Sequence, residues 1–97
     1  MTWEQKAVAL QALVGWQNFA IKMRQSGDWY VSVAGLERQE KSTLSGGYSS
    51  GKIPQDAIEQ YWEWAVAPEF YLKFRNYKGE RSVKWNGFMW EDVVEDK

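Results

Sequence analysis

The period of the apolar residues changes three times along this chain, and each change marks a boundary between helix and strand. Trp3, Ala7, Leu10 and Val14 recur at heptad-like spacing and, widened by Leu13, form one helical stripe. Thr2-Trp3-Glu4-Gln5 opens it like a capping box, and Gly15 stops it, so the spacing predicts a helix over residues 3–14. From Phe19 the period is two. Phe19, Ile21 and Met23 point one way while Ala20, Lys22 and Arg24 point the other. Ser26-Gly27-Asp28 supplies a turn, and Trp29, Val31 and Val33 resume the apolar face opposite Tyr30 and Ser32. Leu36 to Leu44 is more polar and reads as one weaker third strand, with a turn near Gly35.

Ser45 to Gly51 is a Gly/Ser loop, after which Pro54 stands where proline starts a helix. Ala57, Ile58, Tyr61, Trp62 and Ala65 give a helical stripe, with Asp56, Glu59 and Glu63 on the wet side. Trp64 falls roughly opposite Ile58, so it either stays exposed or meets the C-terminal segment. Pro68 ends the helix. The last third is all strand. Phe70, Leu72 and Phe74 alternate with Tyr71, Lys73 and Arg75, Asn76 to Gly79 turn the chain, and Asn86-Gly87 signals a hairpin. A two-residue turn there sets Trp85 opposite Phe88, Val83 opposite Trp90 and Arg81 opposite Asp92. Residues 95–97 are expected to fray. The expected architecture is one α+β domain over 1–97, α-β-β-β-α followed by a C-terminal antiparallel β-meander.

Composition narrows the chemistry. The chain has neither cysteine nor histidine, which excludes a thiolate nucleophile, a disulfide framework, a zinc finger and a Ser-His-Asp triad. Seven Trp, five Tyr and four Phe in 97 residues fill the core of a small domain with few large side chains, and leave rings for a binding surface. No apolar run is long enough to span a bilayer and no signal-peptide pattern opens the chain, so a soluble cytosolic protein is expected, with no membrane partner. Glu59 and Glu63 share an exposed helix face where nothing tunes a carboxyl, and no enzyme is expected.

Two constellations invite a sharper reading. Gly46 to Lys52 fits the skeleton of a phosphate-binding loop, but Ile53 replaces the hydroxyl that would bind Mg²⁺, which leaves a flexible connection. Lys52 and the helix start behind it offer at most an anion contact, opposed by Asp56. The order α-β-β-β-α with its Gly/Ser loop resembles a double-stranded-RNA-binding domain. That family's second-helix lysines are missing here, for Asp56, Glu59, Glu63 and Glu69 follow Lys52, and double-stranded nucleic acid is not an expected partner. Glu91, Asp92, Glu95 and Asp96 make an acidic tail rather than a calcium loop, and neither metal nor cofactor is expected.

Basic residues gather elsewhere. Lys73, Arg75, Lys78, Arg81 and Lys84 lie in the C-terminal strands with only Glu80 against them, and Lys22 and Arg24 lie near Tyr30. If the polar faces of the two sheets adjoin, Lys22, Arg24, Tyr30, Tyr71, Lys73 and Arg75 make one basic surface with rings in it. Such a surface suits an anionic protein or a small phosphorylated molecule.

Gly27-Asp28-Trp29-Tyr30-Val31, Pro54-Gln55-Asp56-Ala57-Ile58 with Trp62, and Trp85-Asn86-Gly87-Phe88-Met89-Trp90-Glu91-Asp92-Val93 resemble small accessory proteins of tailed bacteriophages. The resemblance implies a setting, the host cytoplasm, and a mode of action, stoichiometric inhibition of a host or anti-phage defence protein. A second expectation is a sponge for a cyclic or ADP-ribose-type signalling nucleotide. Trp29, Tyr30 and Tyr48 would stack the base, Arg24 and Arg75 would meet phosphate, and a homo-oligomer would build the pockets. A third is a small virion or assembly component.

Overall fold

The computed structural model describes residues 1–94, so the fraying expected of 95–97 lies outside the described residues. Helix α1 spans Trp3–Val14 as the spacing predicts. Its capping box is closed at both ends. The Gln5 N–H donates to Thr2 Oγ1 at 3.2 Å, and the Thr2 N–H donates to Gln5 Oε1 at 2.8 Å, a device worth about 1 kcal/mol. Strands β1 (Phe19–Met23) and β2 (Trp29–Val33) form the expected hairpin, with Ile21 opposite Val31 and Met23 opposite Trp29. Gly35 turns the chain out of β2.

The segment read as one weak strand is two. Strand β3 (Leu36–Glu40) reverses at Lys41 and returns as β4 (Thr43–Gly46). Lys41 takes φ 55° without being glycine or asparagine, so the left-handed position of the turn lacks the residues that usually mark it. Nor do the strands between the helices form one sheet, as a double-stranded-RNA-binding order implies. The β1–β2 hairpin stands alone, and β3 pairs with the meander β5 (Tyr71–Asn76), β6 (Gly79–Trp85) and β7 (Trp90–Asp92) in the order β4-β3-β5-β6-β7. The reason lies in burial. Leu36 and Arg38 stand opposite Phe74 and Leu72, and Leu36, Leu72, Phe74 and Val83 are all buried on one face.

The β6–β7 hairpin also differs from its expected register. Trp85 pairs with Trp90 and Val83 with Asp92, two residues on from the pairing a two-residue turn would give. A loop of four residues, Asn86–Met89, closes it. Asn86 Oδ1 accepts the N–H of Phe88 at 2.8 Å and of Met89 at 2.9 Å, while its own N–H donates to the Met89 carbonyl. The shift sets Trp85 beside Trp90, and both rings meet Trp62 edge-on at centroid distances of 5.0 and 5.8 Å. Such contacts are worth roughly 0.5–1.5 kcal/mol each beyond burial. A slip of two residues keeps every side chain on its face, so Arg81 still reaches Asp92, now diagonally, at 3.0 Å. Phe88 is the casualty: it leaves the ladder for the loop.

Helix α2 (Pro54–Ala65) is the centre of the molecule, and its whole predicted stripe is buried. Trp64 lies half-buried against the core. Its ring packs on Tyr61, on Arg38 of β3 and against Gly47. No helix among the described residues is long and apolar enough to cross a membrane.

The Gly/Ser loop is a clamp rather than a loose connection. Gly51 exchanges backbone hydrogen bonds with Trp29, at 2.6 and 3.0 Å, extending the β1–β2 hairpin by one bridge. Buried Ser49 accepts the Val31 N–H on its hydroxyl at 2.9 Å. A Cβ on Gly51 would lie 2.6 Å from Asp56 Cβ and 2.7 Å from the Ala57 nitrogen. Gly51→Ala should therefore cost about 1–3 kcal/mol in urea unfolding. Gly46→Ala, whose Cβ would meet nothing within 4 Å, should stay within about 0.5 kcal/mol of wild type. Equal midpoints for the two variants would contradict the clamp.

Candidate functional site

The residues expected to form one basic surface are divided between the two sheets. Lys22, Arg24 and Tyr30 belong to the β1–β2 hairpin and its turn, whereas Tyr71, Lys73 and Arg75 lie on β5 in the five-stranded sheet. On β5 the positive charge is balanced by acids on the neighbouring strands. Glu80 meets Arg75 at 2.5 Å and Lys73 at 3.7 Å. Strand β3 sets Glu37 directly across from Lys73, and β7 sets Glu91 across from Lys84. Tyr71 lies half-buried opposite Gln39.

On the hairpin, Arg24 is spent on the fold. It donates to Asp28 at 2.6 Å and to the Ser49 carbonyl at 3.2 Å, and its guanidinium lies over the rings of Tyr30 and Tyr48 at 4.3 and 5.3 Å. Asp28 also accepts from the hydroxyls of Ser26 and Ser50. Those two hydroxyls, aided by Arg24, hold its carboxyl well below the usual range. A phosphate approaching Arg24 would face this carboxylate first. Trp29 is on the other face, opposite Met23, and packs toward the core rather than beside Tyr30. Lys22 is exposed across from Tyr30, and Lys52 is exposed just before α2 with Asp56 in the first turn behind it.

A different surface is left uncovered. Helix α1 is apolar on two sides. Leu10, Leu13 and Val14 face the core, while Val8 and Ala12 on the far side are exposed, Val8 at 63%. The exposed side also carries Glu4, Gln5 and Gln11, so Val8 and Ala12 form a small apolar strip within it. Beside it stands the Asn86–Met89 loop, with Phe88 at 91% exposure and Met89 at 60%. Between helix and loop runs a groove of about 470 Å³, lined by Met1, Val8 and Ala12 on one side and by Trp85 and Phe88 on the other. The loop is stiff. Besides the bonds Asn86 makes within it, the Asn86 amide donates to Glu91 Oε1 at 2.9 Å, and Gly87 at φ 103° turns the tip. Trp90 fixes the helix to the hairpin by donating its indole N–H to the Ala9 carbonyl at 2.8 Å.

Sequence reasoning passed over this surface because it followed the stripe that faces the core. Val8 and Ala12, four residues apart and outside that stripe, were the available signal. Phe88 was concealed by the assumed two-residue turn.

The Asp28 cluster has a measurable signature. The folded carboxyl titrates below its unfolded counterpart, so its contribution to stability is complete above about pH 4 and is lost as pH falls further. Asp28→Asn should lower the melting temperature at pH 7, and the gap from wild type should close steadily between about pH 4 and pH 2. A gap independent of pH would show that the carboxylate charge has no part in holding the turn.

Compared with protein-family models, curated proteins and solved structures, the chain matches none.

Proposed function

We propose that this chain is a non-enzymatic binding protein that inhibits a host or anti-phage defence protein in the host cytoplasm, by occupying it stoichiometrically. The observation that carries the reading is the apolar strip of Val8 and Ala12 beside the Asn86–Met89 loop, with Phe88 held 91% exposed on a loop fixed by its own hydrogen bonds. Contiguous apolar patches of several hundred Å² on a monomer commonly mark interaction sites. A ring immobilised before contact loses little freedom on binding, which is what makes an anchor residue effective. The setting comes from the resemblance to small phage accessory proteins.

The nucleotide-sponge reading is weaker on physical grounds. Its phosphate contacts, Arg24 and Arg75, are bonded to Asp28 and Glu80, and both pairs would have to open before either arginine met a ligand. Its base-stacking set is also divided, since Trp29 and Tyr30 lie on opposite faces of β2.

A photo-reactive phenylalanine analogue placed at position 88, in cells infected by the source phage, tests the reading. The expected product is a light-dependent one-to-one adduct with a single host protein. The same analogue at Tyr77, equally exposed at 92% but remote from the groove, should give none. Phe88→Asp should weaken the captured complex by about 30-fold or more, the loss typical of a buried anchor. If position 88 yields no adduct, or yields the same products as position 77, this surface does not carry the function.

A further inference from the structure

We infer that the free edge of β1 is a docking site for an extended acidic segment of another protein, which adds to the β1–β2 hairpin as a further strand. The inference goes beyond the reading above, since the edge it uses does not include Phe88.

The first observation is a row of unpaired backbone groups. Bonds at the two ends of the hairpin set its alternation: the Arg24 N–H donates to the Asp28 carbonyl, and the Ala34 N–H to the Asn18 carbonyl. Ala20 and Lys22 therefore bond to β2, while Phe19, Ile21 and Met23 turn their N–H and C=O groups outward. Strand β2 obeys the same alternation, and its outward groups face the Gly/Ser loop. Trp29 exchanges both its bonds with Gly51, and the Val31 N–H donates to the Ser49 hydroxyl. On β1 the outward groups have no hydrogen-bond partner among the described residues. An extended backbone matches such a row, because it offers a donor and an acceptor at every second residue. The outer edges of the larger sheet are shorter, four residues on β4 and three on β7.

The second observation is charge. Lys22 is exposed within this edge and makes no ion pair among the described residues. On its face of the hairpin lies a depression of about 230 Å³, whose lining includes Lys22, Ser32, Gln17 and Asn18 and no acid. A strand laid beside β1 sets a side chain next to Ala20 and Lys22. A carboxylate there would meet the ammonium, with the Ser32 hydroxyl and the Gln17 amide close by. On the opposite face Phe19 and Ile21 pack against the core and Met23 is 59% exposed, so the alternate residues of the incoming strand are apolar.

The same lysine argues against a second copy as the occupant. Pairing β1 with itself about a two-fold axis at Ile21 or Lys22 sets Lys22 diagonal to, or opposite, its own copy. Like charges so placed repel, which is how edge lysines discourage self-pairing.

Amide hydrogen exchange of the full chain tests the inference, with a capped nonapeptide of alternating valine and glutamate as the probe. In the free protein the amides of Phe19, Ile21 and Met23 should exchange faster than those of Ala20 and Lys22. Peptide at ten times its dissociation constant should slow those three by about 10-fold. The same peptide with lysine for glutamate should bind about 10-fold more weakly. Lys22→Glu, at an exposed position, should reverse that preference with an unchanged melting temperature. No slowing at millimolar peptide, equal slowing by the two peptides, or binding that leaves the three amides exchanging freely would each overturn the inference. Phe88→Asp should take the peptide as wild type does, so failure at this edge and failure at position 88 are read separately.

Discussion

The placement of the β1–β2 hairpin depends on how closely the Gly47–Gly51 loop approaches α2. A two-stranded hairpin is marginal in water by itself, and β1–β2 belongs to no larger sheet. It persists because the loop gives β2 a third neighbour at Gly51, a buried hydroxyl at Ser49, and a carbonyl that takes the Arg24 guanidinium. The loop can do this only if its backbone lies against the helix, and that requires residues without a Cβ where Tyr61, Trp64, Asp56 and Ala57 come near. Glycines that read as looseness in the sequence are thus the condition for close packing. The Arg24–Asp28–Ser50 cluster then follows as a consequence of the clamp, since Ser50 is held in place by Gln60 of α2.

The helices and the first hairpin were legible because their signals are local. The stripe of α2, the capping box of α1 and the β1–β2 hairpin with its alternating faces each involve residues close in sequence, and each is found as predicted. What failed to show was set by contacts far apart in the chain. The β3–β4 reversal sits on Lys41, a residue with no turn preference, and is fixed by the pairing of β3 with β5 some thirty-five residues later. The β6–β7 register was read from Asn86-Gly87 as a two-residue turn. The winning arrangement lengthens that loop so that Trp85 and Trp90 both reach Trp62 on α2. Packing of three indoles outweighed the local turn preference.

The candidate site failed to show for the same reason. In linear order residues 73–84 carry five cations against one acid, and a basic face is the natural expectation. Folding adds acids from β3 and β7, so Glu37 comes opposite Lys73 and Glu91 opposite Lys84, beside the Arg81–Asp92 pair that the hairpin signal already implied. A strand's charge is a property of the sheet it joins. Arg38 shows the extreme case. It sits on the core-facing side of β3, opposite Leu72, with its guanidinium on the Trp64 carbonyl at the end of α2 and over the ring of Phe70. There it caps the negative end of the helix dipole.

Several cations are committed to carboxylates or to the end of α2, whereas the apolar surface of Val8, Phe88 and Met89 stays exposed. That surface is costly to leave bare: Phe88, Met89, Val8 and Met1 stand mostly in water although a small domain has every reason to bury what it can. The Asn86 bonds fix the shape of the loop that carries Phe88, and a ring immobilised in this way is what the partner contact proposed above would use.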